Sequence, residues 1–66
     1  MDVAEVMNLP ASVDLVTSGR ALGLGRSTTF ALARSGDYPI PILRVGRKRV
    51  CLKSAICAHL GIPLTP

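Results

Sequence analysis

Aromatic residues are almost missing from this 66-residue chain: Phe30 and Tyr38 stand alone, and there is no tryptophan. Proteins that bind single strands or read RNA bases stack those bases on aromatic side chains. Two scattered rings make no such platform. Cysteine is also sparse, with only Cys51 and Cys57. A secreted disulfide framework normally needs more, so reduced thiols and a cytoplasmic setting are expected. No apolar run approaches the ~18 residues of a membrane span. The N-terminus carries Asp2 and Glu5 where a signal peptide would be basic.

Catalytic and metal-binding sets are equally thin. His59 is the only histidine, and in a domain this small, with no cleft expected around it, no Ser-His-Asp or Cys-His catalytic set is credible. Cys51, Cys57 and His59 match no zinc-ligand spacing, and a fourth ligand is missing. The four carboxylates, Asp2, Glu5, Asp14 and Asp37, are scattered, which argues against paired-carboxylate chemistry. The expectation is a protein that is not an enzyme and takes no metal, cofactor or small-molecule substrate.

What the chain does have is asymmetric charge. Asp2, Glu5 and Asp14 occupy the first fourteen residues with no cation among them. Residues 15–66 hold all eight lysines and arginines against one acid, Asp37, a net +7. An acidic end followed by a basic body points to an anionic partner. The cations concentrate in Arg44-Val45-Gly46-Arg47-Lys48-Arg49. Apolar residues flank this run: Ile40, Ile42 and Leu43 before it, Val50, Cys51 and Leu52 after it. That is the pattern of a hairpin over residues 42–52 with a basic tip. A two-residue Gly46-Arg47 turn, glycine first, sets Arg44 opposite Arg49. Opposed like charges are unfavourable, and a polyanion such as a nucleic-acid backbone relieves them. A merely solvated turn is the plain alternative.

The length fits one small domain, which buries only ~60% of its unfolded surface. Residues 1–12 read as an arm or short helix ending before Pro10, residues 13–62 as the domain, and residues 63–66 as a tail. Asp14 is a good N-cap for a helix over 15–22 that buries Leu15, Val16, Gly19 and Leu22 and leaves Arg20 outside. Gly23-Leu24-Gly25 makes a tight turn with Leu24 plugged inward. A second helix spans 26–35, with Thr28, Ala31, Leu32 and Ser35 on one face, Thr28 toward the core. Arg26, Ser27, Thr29, Phe30 and Ala33 fall elsewhere. Pro39 and Pro41 favour extended chain. A last helix covers 53–60, with Ile56 and Leu60 inward. Gly61-Ile62-Pro63 closes it.

Helix, glycine turn, helix, hairpin, helix is a small α+β arrangement of winged helix-turn-helix type. In that geometry the second helix offers its N-terminal residues to the major groove. Arg26 can fork onto guanine O6 and N7, while Ser27 and Thr29 reach phosphate or a base edge. The run Gly23-Leu24-Gly25-Arg26-Ser27-Thr28 has a superficial likeness to a nucleotide-binding loop. It lacks the third glycine and preceding strand of the dinucleotide fingerprint, and the Gly-Lys-Ser/Thr of a P-loop.

Three stretches carry a family resemblance. Residues 22–32, Leu-Gly-Leu-Gly-Arg-Ser-Thr-Thr-Phe-Ala-Leu, resemble the core of the excisionase-like, MerR-type winged-helix domains. Gly36-Asp37-Tyr38-Pro39-Ile40-Pro41 followed by Arg44-Val45-Gly46-Arg47 is similar to a segment of the excisionase and AlpA-like members. Ser54-Ala55-Ile56 resembles the start of their final helix. The likeness covers about residues 13–61. It implies sequence-preferring binding to double-stranded DNA, with helix contacts from Arg26, Ser27 and Thr29, Phe30 near the backbone, and wing contacts from Arg47, Lys48 and Arg49. Arg20, Arg34 and Arg44 complete the candidate DNA-contact set. Gly19 departs from the family's usual alanine and is expected to weaken the first helix, and Thr17 stands where an acid is common.

MerR-type regulators carry a long dimerising helix and an effector domain, and neither is expected within these 66 residues. The resemblance therefore implies a phage or mobile-element excisionase, acting on DNA in a bacterial cytoplasm. Such a protein bends an attachment site and directs an integrase (recombinase) toward excision. The small interface of one such domain and the charge asymmetry of the chain add the expectation that copies associate head-to-tail on DNA. Asp2, Glu5 and Asp14, with Val6 or Leu9, are the candidate surface for that contact. A small MerR-like transcriptional regulator is the alternative, and a protein-interaction module with an acidic partner a second.

Overall fold

The structure, a computed structural model, describes residues 1–63. The last three residues of the expected tail lie outside it. Among the described residues, four helices and a three-stranded antiparallel sheet form a small compact α+β protein.

Helix α1, Val3–Met7, is only five residues long. Helices this short are not stable alone, and tertiary ties hold it. Asp2 Oδ1 accepts from the Glu5 amide at 2.9 Å, filling one of the orphan donors of the first turn. At the other end Lys53 Nζ donates to the Met7 carbonyl, a cation placed where the helix dipole favours one. Between them Val6 is 1% exposed and belongs to the core. The N-terminal segment is thus not a free arm, and Val6 is not available as a docking residue.

Strand β1, Ser12–Asp14, was not anticipated. It pairs antiparallel with β3, Lys48–Leu52, which also pairs with β2, Leu43–Val45, giving the order β1-β3-β2. The β2–β3 hairpin is therefore not a separate two-stranded wing: its inner strand is the centre of a sheet. Val13 lies opposite Cys51, and both are buried. The two thiols, Cys51 and Cys57, are free and buried.

Helix α2, Leu15–Ala21, starts at Asp14, whose Oδ1 accepts from the Thr17 amide at 2.9 Å. It buries Leu15, Ser18, Gly19 and Ala21, whereas Val16 and Leu22 stay half-exposed. A buried hydroxyl needs partners. Ser18 Oγ donates to the Leu15 carbonyl at 2.7 Å and lies 2.5 Å from Tyr38 Oη, which ties the chain after the next helix back to α2. Burial pushes the Tyr38 phenol above its ordinary value, and the hydrogen bond to Ser18 works against that rise.

Helix α3, Arg26–Ser35, packs on α2 at one unusually close point. A Cβ added to Gly19 would lie 2.0 Å from Thr29 Oγ1. Gly19 costs α2 helix propensity, as the sequence suggests, but its missing side chain is the space that Thr29 fills. Thr29 is 1% exposed, and its hydroxyl donates to the Gly25 carbonyl at 2.8 Å. The buried side of α3 is accordingly Thr29 with half-buried Phe30, Leu32 and Ala33. Thr28, expected inward, points to solvent, as do Ala31 and Ser35.

Helix α4, Lys53–Leu60, has the expected limits. Ile56 and Cys57 are its buried residues, while Leu60 is 39% exposed and not inward as expected. It ends at Gly61, beyond which the Ile62 amide donates back to the Cys57 carbonyl at 2.8 Å, the bond pattern of a Schellman motif. The core is completed by Val6, Val13, Leu15, Ala21, Ile40 and Cys51.

Candidate nucleic-acid interface

Two regions carry the candidate contacts, the outer side of α3 and the β2–β3 hairpin. On α3 the buried stripe fixes what is left outside. At 3.6 residues per turn, burial of Thr29 and Ala33 turns Ser27, Thr28, Ala31 and Arg34 outward, while Arg26, on the side of Thr29 and Phe30, is free because it is the first residue of the helix; all five are exposed. The expected contact Thr29 is removed from this face: it is buried, and its hydroxyl is committed to a carbonyl inside its own helix. Its neighbour Thr28 takes the exposed position. Phe30 is half-buried, packed against the core, with the Arg26 guanidinium carbon 6.0 Å from its ring centre. The first turn of α3 contains no acid, and Gly25 offers no side-chain cap. The free amides of that turn carry the positive end of the helix dipole.

The hairpin has the expected register. Arg44 is paired with Arg49 and Val45 with Lys48, leaving Gly46-Arg47 as a two-residue turn. Gly46 has φ 62°, and among the described residues none other than glycine has a positive φ. That combination fits a turn with a left-handed first position only, where glycine is required. All residues from Leu43 to Arg49 are exposed.

The four cations do not share one side. Paired residues project to the same face of a sheet, and neighbours along a strand to opposite faces. Arg44 and Arg49 therefore lie on the Cys51 side, toward the body of the molecule, while Lys48 lies on the outer side with Val45 and Val50. Arg47 occupies the turn itself. The outer side is unusually apolar for a solvated face: Leu43, Val45 and Leu52 are 42%, 62% and 41% exposed.

Helix α2 links the two regions. It packs on α3 and also on β1 and β3. A shallow groove runs between its first residues, Leu15 and Val16, and the hairpin residues Arg47, Lys48 and Arg49. Arg20 is exposed on the same helix. Asp14, which starts α2 at the edge of this groove, is held below the ordinary carboxylate range by hydrogen bonds from the Thr17 side chain and backbone, and burial opposes this only in part.

No family model, curated protein or solved structure matches this chain. Arg20, Arg26, Ser27, Arg34, Arg44, Arg47, Lys48 and Arg49 are solvent-accessible donors, Thr29 is buried, and Phe30, which has no donor, is half-buried. Thr28 is the residue that sequence reasoning passed over. The signal for it was the pair Phe30 and Ala33, three residues apart, which marks the apolar side of α3 and turns Thr28 away from it. Among the described residues no cluster of three metal-ligating side chains occurs, and no helix is long and apolar enough to cross a membrane.

Proposed function

We propose that this chain binds double-stranded DNA as a winged helix-turn-helix protein, with α2 and α3 as the helix pair and the β2–β3 hairpin as the wing. The observation that carries the reading is the hairpin register. It holds Arg44 against Arg49 at an exposed tip that also bears Arg47 and Lys48. A fold gains nothing from such opposition, whereas a phosphate backbone neutralises it and releases counterions on binding. The exposed side of α3 supplies the second half. Arg26 and Arg34 flank the small side chains of Ser27 and Ala31, with Thr28 beyond them, a surface that lets a helix approach base edges.

Within this reading the protein is a non-enzymatic excisionase. It binds and bends an attachment site so that an integrase runs in the excisive direction, as the family resemblance implies. Copies associate head-to-tail on DNA, the acidic end of one toward the basic body of the next. Since Val6 is buried, the apolar part of that contact falls to Met1, Val3 and Met7, which are 40%, 56% and 39% exposed. The outer sheet face of Leu43, Val45 and Leu52 favours one second reading, a protein-interaction module.

Duplex binding measured across salt concentrations tests the first step. With about four to six phosphates neutralised, log K falls against log salt with slope roughly −4 to −5. A slope near zero removes DNA and leaves the interaction module. Footprinting over an attachment site beside an integrase gene tests the second step. Protection of a promoter instead assigns the protein to transcriptional regulation.

A further inference from the structure

Arg26 is a poor choice for the position it occupies on structural grounds. It is the first residue of α3, where the helix dipole disfavours a cation, and no acid stands in that turn to offset it. Its side chain is exposed, so burial of its stem does not explain it either. The contact the structure does give it is an aromatic face: its guanidinium carbon lies 6.0 Å from the centre of the Phe30 ring. Phe30 is four residues on, hence one turn away on the same side of the helix. The ring is itself fixed, because it is half-buried and packed against the core. A flexible arginine at an exposed helix end therefore rests on a rigid surface.

We infer that Phe30 is a positioning residue for DNA recognition: its ring holds the Arg26 guanidinium pre-oriented, and this sets preference at the one base pair Arg26 reads. The inference rests on the DNA-binding reading above and goes beyond it, since it gives Phe30 a role through Arg26 in place of a contact with the backbone. The physical basis is twofold. A cation is attracted to a ring face out to about 6 Å, so the ring restricts where the guanidinium points without locking it. An arginine whose rotamers are already narrowed loses less freedom when it forks onto a guanine edge. At 6.0 Å the contact is at the outer limit of that attraction, which leaves the guanidinium free to exchange ring for base.

Arg34 is the other arginine of α3, four residues beyond Phe30 and exposed. It lies in the last turn, where the dipole accepts a cation, and the structure records no ring contact for it. The two arginines of α3 are thus unlike, and the ring distinguishes them: Arg26 is pre-oriented for base readout and Arg34 is a free charge for phosphate.

Two measurements on the full chain test this. In the free protein, NMR of the Arg26 δ-methylene protons is expected to show an upfield ring-current shift that disappears in Phe30→Leu. Absence of the shift in the unsubstituted protein overturns the inference whatever DNA binding shows. On DNA, binding to the site and to its single base-pair variants is compared for Arg26→Ala, Phe30→Leu, Phe30→Tyr and the double variant Arg26→Ala/Phe30→Leu. Phe30→Leu is expected to lose several-fold to about tenfold discrimination at the base pair that Arg26→Ala relaxes, with the salt slope unchanged. Phe30→Tyr keeps the ring and keeps the discrimination. The double variant is no worse than Arg26→Ala. Equal loss by Phe30→Leu on every sequence, or additive losses in the double variant, overturns the positioning role. Thermal melts of the variants separate a loss of fold from a loss of readout, and Phe30→Tyr carries the test if leucine unfolds the domain. If the ring shift is present but no duplex is bound, the DNA reading is what fails.

Discussion

Helix α3 and the β2–β3 hairpin both present cations, and they are held in opposite ways. The helix is fixed from beneath. Thr29 sits against the bare backbone of Gly19, and Phe30, Leu32 and Ala33 cover the rest of its inner side. The hairpin tip has no underside: every residue from Leu43 to Arg49 is exposed, and only pairing with β3 and the Gly46 turn give it shape. The helix is preformed by packing and its cations are few. The hairpin is shaped by register, and its cations oppose one another. A rigid reader joined to a charged and less supported tip suits a division of labour between base edges and phosphates.

The largest effect expected from breaking this contrast lies under the helix. Alanine normally favours a helix over glycine by about 1 kcal/mol, so propensity alone has Gly19→Ala stabilising α2. The 2.0 Å approach to Thr29 Oγ1 reverses the sign. Overpacking costs about 1–3 kcal/mol, occasionally more, and the net expectation is a loss of about 2 kcal/mol in denaturant unfolding. Thr29→Ala removes the two nearest atoms but leaves the residue 29 Cβ 2.9 Å from the new methyl, so the double variant should recover part of the loss and not all of it. A Gly19→Ala protein more stable than the original would show that the helices do not meet as closely as described.

That contact also shows why the two regions differ in how well they can be read from sequence. The hairpin register follows from arithmetic: a two-residue turn at Gly46-Arg47 leaves one pairing, and Arg44 meets Arg49 as expected. Helix α4 was equally legible, because Gly61-Ile62-Pro63 marks its end. Helix α3 is rich in Ala, Ser and Thr, which fit either side of a helix. Its orientation was decided by a residue on another helix, Gly19, so Thr28 and Thr29 were exchanged. Strand β1 has three residues and a single buried side chain, Val13, too little for a period to appear. The burial of Val6 was missed for a related reason, since α1 packs against α4 through contacts between distant parts of the chain.

Next in size are the phosphate contacts proposed for the tip. Arg47→Ala and Lys48→Ala are each expected to weaken binding to every duplex alike and to reduce the steepness of the salt dependence by about 1. Thr28→Ala, on the helix, should change the ranking of duplex sequences with little change in that slope. Competition binding with a panel of single base-pair variants at two salt concentrations separates the two patterns. If Arg47→Ala changes the ranking and Thr28→Ala does not, the roles of helix and hairpin are the reverse of those proposed.

Helix α2, which joins the regions, gives a pH-dependent check. Asp14→Ala removes the cap on Thr17 and should cost about 1 kcal/mol. The Asp14 carboxyl is held below its ordinary value by hydrogen bonds from Thr17, so the folded state favours the ionised form. Its contribution is present above the unfolded value of about 3.9 and is lost as pH falls through the lowered folded value. Acid titrations of stability should therefore be flatter for Asp14→Ala than for the original in that window. Parallel curves would mean that another carboxylate carries the acid sensitivity.

The smallest effect expected is the most discriminating, because stability and binding move in opposite directions. Arg44 and Arg49 lie directly across from each other on adjacent strands, both exposed. Opposed like charges destabilise a strand pair, and the scale is set by the ~0.2–1 kcal/mol that a favourable cross-strand pair contributes. Replacing Arg49 with threonine, a good strand former, removes that term and keeps the backbone pairing. The free protein should become more stable by that small amount at low salt. The gain should fade as salt shortens the screening length from about 10 Å at 0.1 M to about 3 Å at 1 M. Duplex affinity should fall at the same time, since one phosphate contact is lost. Calorimetric melts across a salt series, set beside binding over the same series, read both signs. Arg49→Thr that lowers stability at every salt concentration would mean that the arginine stem packs against the body of the protein, and the argument from opposed charges would then lose its footing.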